Sequence, residues 1–379
     1  MLLVSGPDVD TGHDRRNLSV FVGGREDDCA VNWTVADSVP NPWGKVPLTA
    51  GGQSVVPPVE AYMQRVAEAA STRDCVSRRH HYVPQSYMRA WSPDRKRVRV
   101  LDTRNGIDKL RGLRDTCVQE NFYRVTDPAT GQHNQVEKML AVIDDETARL
   151  LQVLSRWSPG DDFKFDDFMS LAVVMGLQRN RTPQARRFIA GISEWSERRA
   201  SQASHTVTAD GHVDAMFRVM YDAADEFSTR QLELWDDPQA RFITCDQPIL
   251  LSMDTQNEPP TMHTSRYVWW PISPTRVVAL GLELKAVKVV HRVASTKDVD
   301  EIRNAVIRSA ESAIIAKPED RNLPSGKRLR KRPQVRVDCE PIDPKARKCR
   351  LRFAWGHGTQ TLDHACHPLC AVAIPTNKT

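Results

Sequence analysis

The chain has 379 residues, 40% of them hydrophobic and 27% charged, and a formal net charge of +5. These values suit a globular protein with a sizeable core, and no run approaches the roughly 20 apolar residues of a membrane helix. Eight cysteines, with no basic stretch and long apolar run at the start, point to reduced thiols in a cytoplasmic protein rather than a disulfide framework.

Residues 1–56 are rich in Gly, Pro, Asp and Asn without periodicity and read as a loose extension. From Pro57 to Ala70, Val59, Met63, Val66 and Ala70 fall on one helical face. The segment His80-His81-Tyr82-Val83-Pro84-Gln85 follows. Residues before Pro84 are pushed toward extended geometry, so the histidines belong on a strand or loop entering a helix. Tyr87, Met88 and Trp91 would pin that short helix into a core. A strand is expected at Arg97–Asp102, a turn at Asn105-Gly106, and a short strand at Phe122–Val125.

The clearest element is a helix from about Gln135 to Arg156. Val136, Met139, Leu140, Ile143, Thr147, Leu150, Leu151 and Leu154 form its apolar stripe. Glu137 and Asp144, two turns apart, sit on one flank of that stripe. A second helix is expected from Asp166 to about Arg179. A third opens at Pro183, capped by Thr182, and runs through Trp195, and a fourth spans Val213 to Trp235. Strands then follow at Arg241–Asp246, Ile249–Leu251, Tyr267–Trp270, Val277–Leu282 and Ala286–His291. A closing helix is expected from Lys297 to Ala316, begun by Ser295 or Thr296, before a Pro- and Arg-rich tail with weak strands near Val335 and Leu351. Helices first and strands later predict an α+β fold, with a largely helical N-terminal half packed on a mostly antiparallel sheet drawn from the C-terminal half.

Charge is unevenly laid out. Residues 73–114 carry twelve Lys or Arg against four Asp, and residues 327–352 carry eleven against three acids. Such blocks suit a phosphate-rich partner, nucleic acid or nucleotide. Arginine also outnumbers lysine 39 to 14, which a GC-rich genome produces without any such partner. The C-terminal His364, Cys366, His367 and Cys370 include zinc-ligand types but lack a paired Cys-x-x-Cys knuckle.

Five elements, in one order, resemble the DUF4238 family of bacterial proteins of unknown function. They are His80 to Trp91; Val136-Glu137 with Asp144; Gln178-Arg179-Asn180-Arg181-Thr182-Pro183; Trp235 with Phe242 to Pro248; and Pro271-Ile272-Ser273-Pro274. The resemblance implies a domain over residues 77–316, flanked by an extension with one short helix (1–76) and a basic tail (317–379). It implies no chemistry.

The polar residues that these motifs single out are His80, His81, Gln85, Glu137, Asp144, Gln178, Arg181 and Asp246. Their types suit hydrolytic, nuclease-like chemistry on a phosphodiester or nucleotide. In that reading His81, Gln85, Glu137, Arg181 and Asp246 are catalytic, and His80, Asp144 and Gln178 bind ligand. His81 is base or metal ligand; Glu137 and Asp246 complete the ligand set for a divalent metal ion; Arg181 clamps phosphate. A non-catalytic nucleotide sensor would use the same residues. A buried Glu–Arg–His network that only joins helices to a sheet would also explain them.

Overall fold

The computed structural model describes residues 58–71, 78–127, 131–133, 135–189, 209–252, 262, 265–282, 288–324, 336–343, 348–355 and 358–365. The expected loose stretch 1–56, the continuation of the Pro183 helix beyond residue 189, and Cys366, His367 and Cys370 lie outside them.

In chain order the elements begin with α1 (Pro58–Ser71), β1 (Arg79–His81), α2 (Gln85–Met88), β2 (Arg97–Asp102), β3 (Asp108–Gly112), β4 (Val118–Glu120), β5 (Val125–Asp127) and β6 (Gly131–His133). Helices α3 (Gln135–Arg156) and α4 (Phe165–Asn180), α5 (183–189) and α6 (Ala209–Ser228) follow. Next come β7 (Gln231–Asp236), β8 (Thr244–Cys245), β9 (Leu250–Leu251), β10 (Tyr267–Ser273), β11 (Arg276–Gly281), β12 (Val290–Val293), α7 (Thr296–Ser309) and β13 (Ala313–Ala316). The last three strands, β14 (Arg336–Asp343), β15 (Lys348–Trp355) and β16 (Gly358–Ala365), form an antiparallel meander.

The architecture is α+β. A five-stranded sheet in the order β12-β7-β11-β10-β9 is antiparallel except where β12 runs beside β7, and a four-stranded antiparallel sheet has the order β3-β2-β13-β8. Alternate residues of these strands enter two different cores, as a period of two requires. Leu232, Leu234, Val268, Trp270, Val278, Leu280, Val100 and Ile315 join the buried faces of α1, α3, α4 and α6. Trp235, Trp269, Val277, Ala279, Leu101 and Ile314 face the other way, against Val299, Ile302 and Val306 of α7. The sheets are therefore covered on both sides, which is why their strands read as nearly continuous apolar runs. Among the described residues no helix is long and apolar enough to cross a membrane.

Two expected helices end early. The helix expected to reach Trp235 stops at Ser228, and Gln231–Asp236 is a strand hydrogen-bonded on both sides. Buried Arg230 fixes the break, donating to Glu226 and to the carbonyls of Ser265 (2.9 Å) and Met262. Leu234 satisfies a period of either 3.6 or 2, and the preceding apolar stripe masked the change. The closing helix likewise stops at Ser309, and Ala313–Ala316 becomes the strand between β2 and β8. At its start the Ser295 hydroxyl and Asp298 form a reciprocal capping box. The strand expected at Phe122–Val125 is instead a turn, with Asn121 at a positive φ of 52°, leading into β5.

Candidate functional site

Strand β1 places its two histidines on opposite sides. His80 is buried, its Nδ1 accepting the Tyr123 N–H at 2.9 Å and its ring stacked on Tyr123 at 5.8 Å. His81 instead lines a cleft of about 500 Å³ with Arg79, Gln85, Ser86, Arg89, Arg114, Glu137, Asp144 and Asp145.

One wall of the cleft is the start of α2. Tyr87 and Met88 are buried, and the Tyr87 hydroxyl sits 2.6 Å from both Thr244 Oγ1 and the Pro271 carbonyl. Trp91 Nε1 donates to the Phe242 carbonyl at 3.3 Å. With the apolar face pinned, Gln85, Ser86 and Arg89 turn outward into the cleft. The opposite wall is α3, whose buried stripe is the expected one. Its flank contributes Glu137, Ala141, Asp144, Asp145 and Ala148, and the two alanines leave the space open.

Beneath the cleft Arg181, only 2% exposed, joins the walls. Its Nη1 lies 2.5 Å from Asp144 Oδ1, and its Nη2 donates to the His81 carbonyl at 2.7 Å. Tyr123 closes the connection, its hydroxyl donating to the Arg181 carbonyl at 2.6 Å. Burial works against the guanidinium charge, but Asp144 and then Tyr123 outweigh it and hold its pKa above the ordinary value. Gln178, one turn earlier, donates to the Tyr82 carbonyl at 3.0 Å.

Two side-chain atoms at the cleft are shielded from solvent yet have no hydrogen-bond partner: His81 Nε2 and Glu137 Oε2. Burial pushes the Glu137 carboxyl up to about 7, with Arg181 opposing and Asp144 reinforcing the rise. Burial lowers His81 from its ordinary value, against the pull of the Leu113 main chain. An acid raised toward neutrality and a histidine with a lowered pKa, lining one cleft, are groups suited to proton transfer at neutral pH.

The expected set is thus partly assembled. His81, Gln85, Glu137 and Asp144 meet in one cleft, with Arg181 and Gln178 directly behind it. His80 and Asp246 do not line it. Asp246 is buried, its carboxylate accepting the N–H groups of Glu311 (2.9 Å), Ser312 (2.7 Å) and Ala313 (3.2 Å) and the Ser312 hydroxyl (2.6 Å). It fixes the turn into β13, so the expected metal set of His81, Glu137 and Asp246 is not formed. Among the described residues no three His, Cys, Asp or Glu side chains converge as a metal site. Arg181 does not line the cleft as a phosphate clamp would: it is buried, and its Nε, Nη1 and Nη2 donate to Tyr123, Asp144 and the His81 carbonyl.

Cationic groups at the cleft come from Arg79, Arg89 and Arg114, none of them among the expected site residues, although Arg89 lies within the His80–Trp91 element. Arg79 lies two residues before His81 on a strand and Arg89 four after Gln85 on a helix, so periodicity places each beside a motif residue. Arg114 follows a hairpin, and no local pattern marks it.

The fold and cleft together define an α+β protein with a candidate acid–base site between a strand–helix corner and a long helix. Residues 79–320 match the family described as protein of unknown function (DUF4238), and the chain belongs to that family. No curated protein and no solved structure matches the chain.

Proposed function

We propose that this chain is a cytoplasmic hydrolase, nuclease-like in its chemistry, that cleaves a phosphodiester or nucleotide in the α2–α3 cleft. One observation carries the reading: His81 Nε2 and Glu137 Oε2, both shielded and unpartnered, line the same cleft as three arginines. Neutral His81 takes the proton of an attacking water, whose oxygen bonds to phosphorus. Protonated Glu137 gives its proton to the leaving oxygen as the old P–O bond breaks. Arg79, Arg89 and Arg114 meet the phosphate charge, and the basic composition of segments 73–114 and 327–352 suits a nucleic-acid partner.

The test is turnover of an activated phosphodiester and of single-stranded nucleic acid, with and without divalent metal. His81→Ala and Glu137→Gln should each lower kcat by about 100-fold or more. The wild-type rate should fall above pH about 7 as Glu137 loses its proton, and fall again on the acid side as His81 gains one. Turnover unchanged in His81→Ala removes the mechanism. Salt-sensitive binding without turnover favours a non-catalytic nucleotide sensor built on the same cleft.

A further inference from the structure

Three consecutive residues of the histidine segment are each held by a different partner. The His80 ring is held by the Tyr123 N–H, the His81 carbonyl by Arg181, and the Tyr82 carbonyl by Gln178. Arg181 reaches Asp144 on α3 with the same guanidinium. One buried cation therefore spans the strand that carries His81 and the helix that carries Glu137, bonded to both through a planar fork that lysine lacks.

We infer that Arg181 is a positioning residue: with Asp144 it fixes the spacing of the cleft walls and sets the field in which His81 takes up a proton and Glu137 gives one. The inference rests on the acid–base reading of the cleft. Glu137 is faced by Arg181 behind it, Asp144 and Asp145 on its own helix, Tyr123 beside Arg181, His81 across the cleft, and Arg79, Arg89 and Arg114. Within this set Arg181 and Asp144 act on Glu137 with opposite sign. Arg181 favours the ionised carboxylate, and Asp144 disfavours it.

Opposite signs give a test that needs no turnover. The Glu137 side-chain carboxyl, carbon-13 labelled, is titrated by NMR in the wild type, Arg181→Gln and Asp144→Asn. Arg181→Gln should move the Glu137 midpoint upward from about 7, and Asp144→Asn should move it downward. If Arg181→Gln does not fold, Asp144→Asn alone decides through the direction of its shift. Arg181→Lys keeps the charge and loses the fork, so it should hold the midpoint near wild type while lowering kcat and leaving KM in place. Midpoints unmoved, or moved in the same direction by Gln and Asn, overturn the inference. A wild type that titrates as expected but turns over no phosphodiester overturns the hydrolase reading and leaves the coupling intact.

Discussion

Glu137 shows what one carboxyl gains and loses by lining this cleft. Its pKa is raised from an ordinary 4.5 to about 7, so between those values the folded chain binds more protons than the unfolded one and stability falls as pH rises. The neutral carboxyl's contribution is complete below the unfolded value and lost as pH passes about 7. Glu137→Gln should therefore change stability little near pH ~4 and raise it by up to about 3 kcal/mol near pH ~8.5. Urea midpoints at the two pH values check this, and equal differences at both would show that ionised Glu137 costs nothing. The contrast with Asp246 explains how far the site was legible. Both acids stand in apolar-rich contexts and both are raised by burial. Glu137 could be placed because its helix stripe fixes which way it faces. Asp246 could not, because its partners lie some 65 residues further along in a turn with no sequence signature. His80 and His81 differ for a simpler reason, since adjacent strand residues face opposite sides.

Among the elements, α4 and α6 approach closely at Gly176. A Cβ there would lie 2.9 Å from the Met220 carbonyl oxygen and 3.2 Å from the Ala223 Cβ. Gly176→Ala should therefore cost about 1–3 kcal/mol by forcing the helices apart, although alanine is the better helix former. A denaturation midpoint equal to or above wild type would show that the contact yields freely. The strain would reach the cleft, since the same helix carries Gln178 in its last turn and is capped by Arg181. Periodicity alone fixes two elements end to end: α3 spans Gln135–Arg156 and β2 spans Arg97–Asp102, both as expected. Short strands were harder. Ala313–Ala316 is buried on both faces, so it shows no alternation and reads as the end of the preceding helix.

Among the described residues, α1, α3, α4 and α6 cover one face of the five- and four-stranded sheets and α7 the other, and the candidate cleft lies between α2 and α3. Three arginines from separate elements meet at this cleft, so nucleic-acid binding there would release counterions. Changing Arg79, Arg89 and Arg114 together to Gln should flatten the plot of log affinity against log salt for single-stranded nucleic acid by about 2 units. Fluorescence anisotropy across a salt series measures the slope, and an unchanged slope would show that these three arginines do not contact the phosphates. The four-stranded sheet has one more consequence, for how the chain is made. Its second-longest strand, β3, and its longest, β2, are among the first elements synthesised, whereas β13, which sits between β2 and β8, is the last of the family-matched region. On the ribosome, β2 waits with one edge open while more than two hundred residues are added. The hairpin that delivers Arg114 is sealed only when Ile314 and Ile315 emerge to pair with Leu101 and Val100. A chain cut short before residue 313 would keep His81, Glu137 and Arg181, yet leave a bare strand edge free to join its copies.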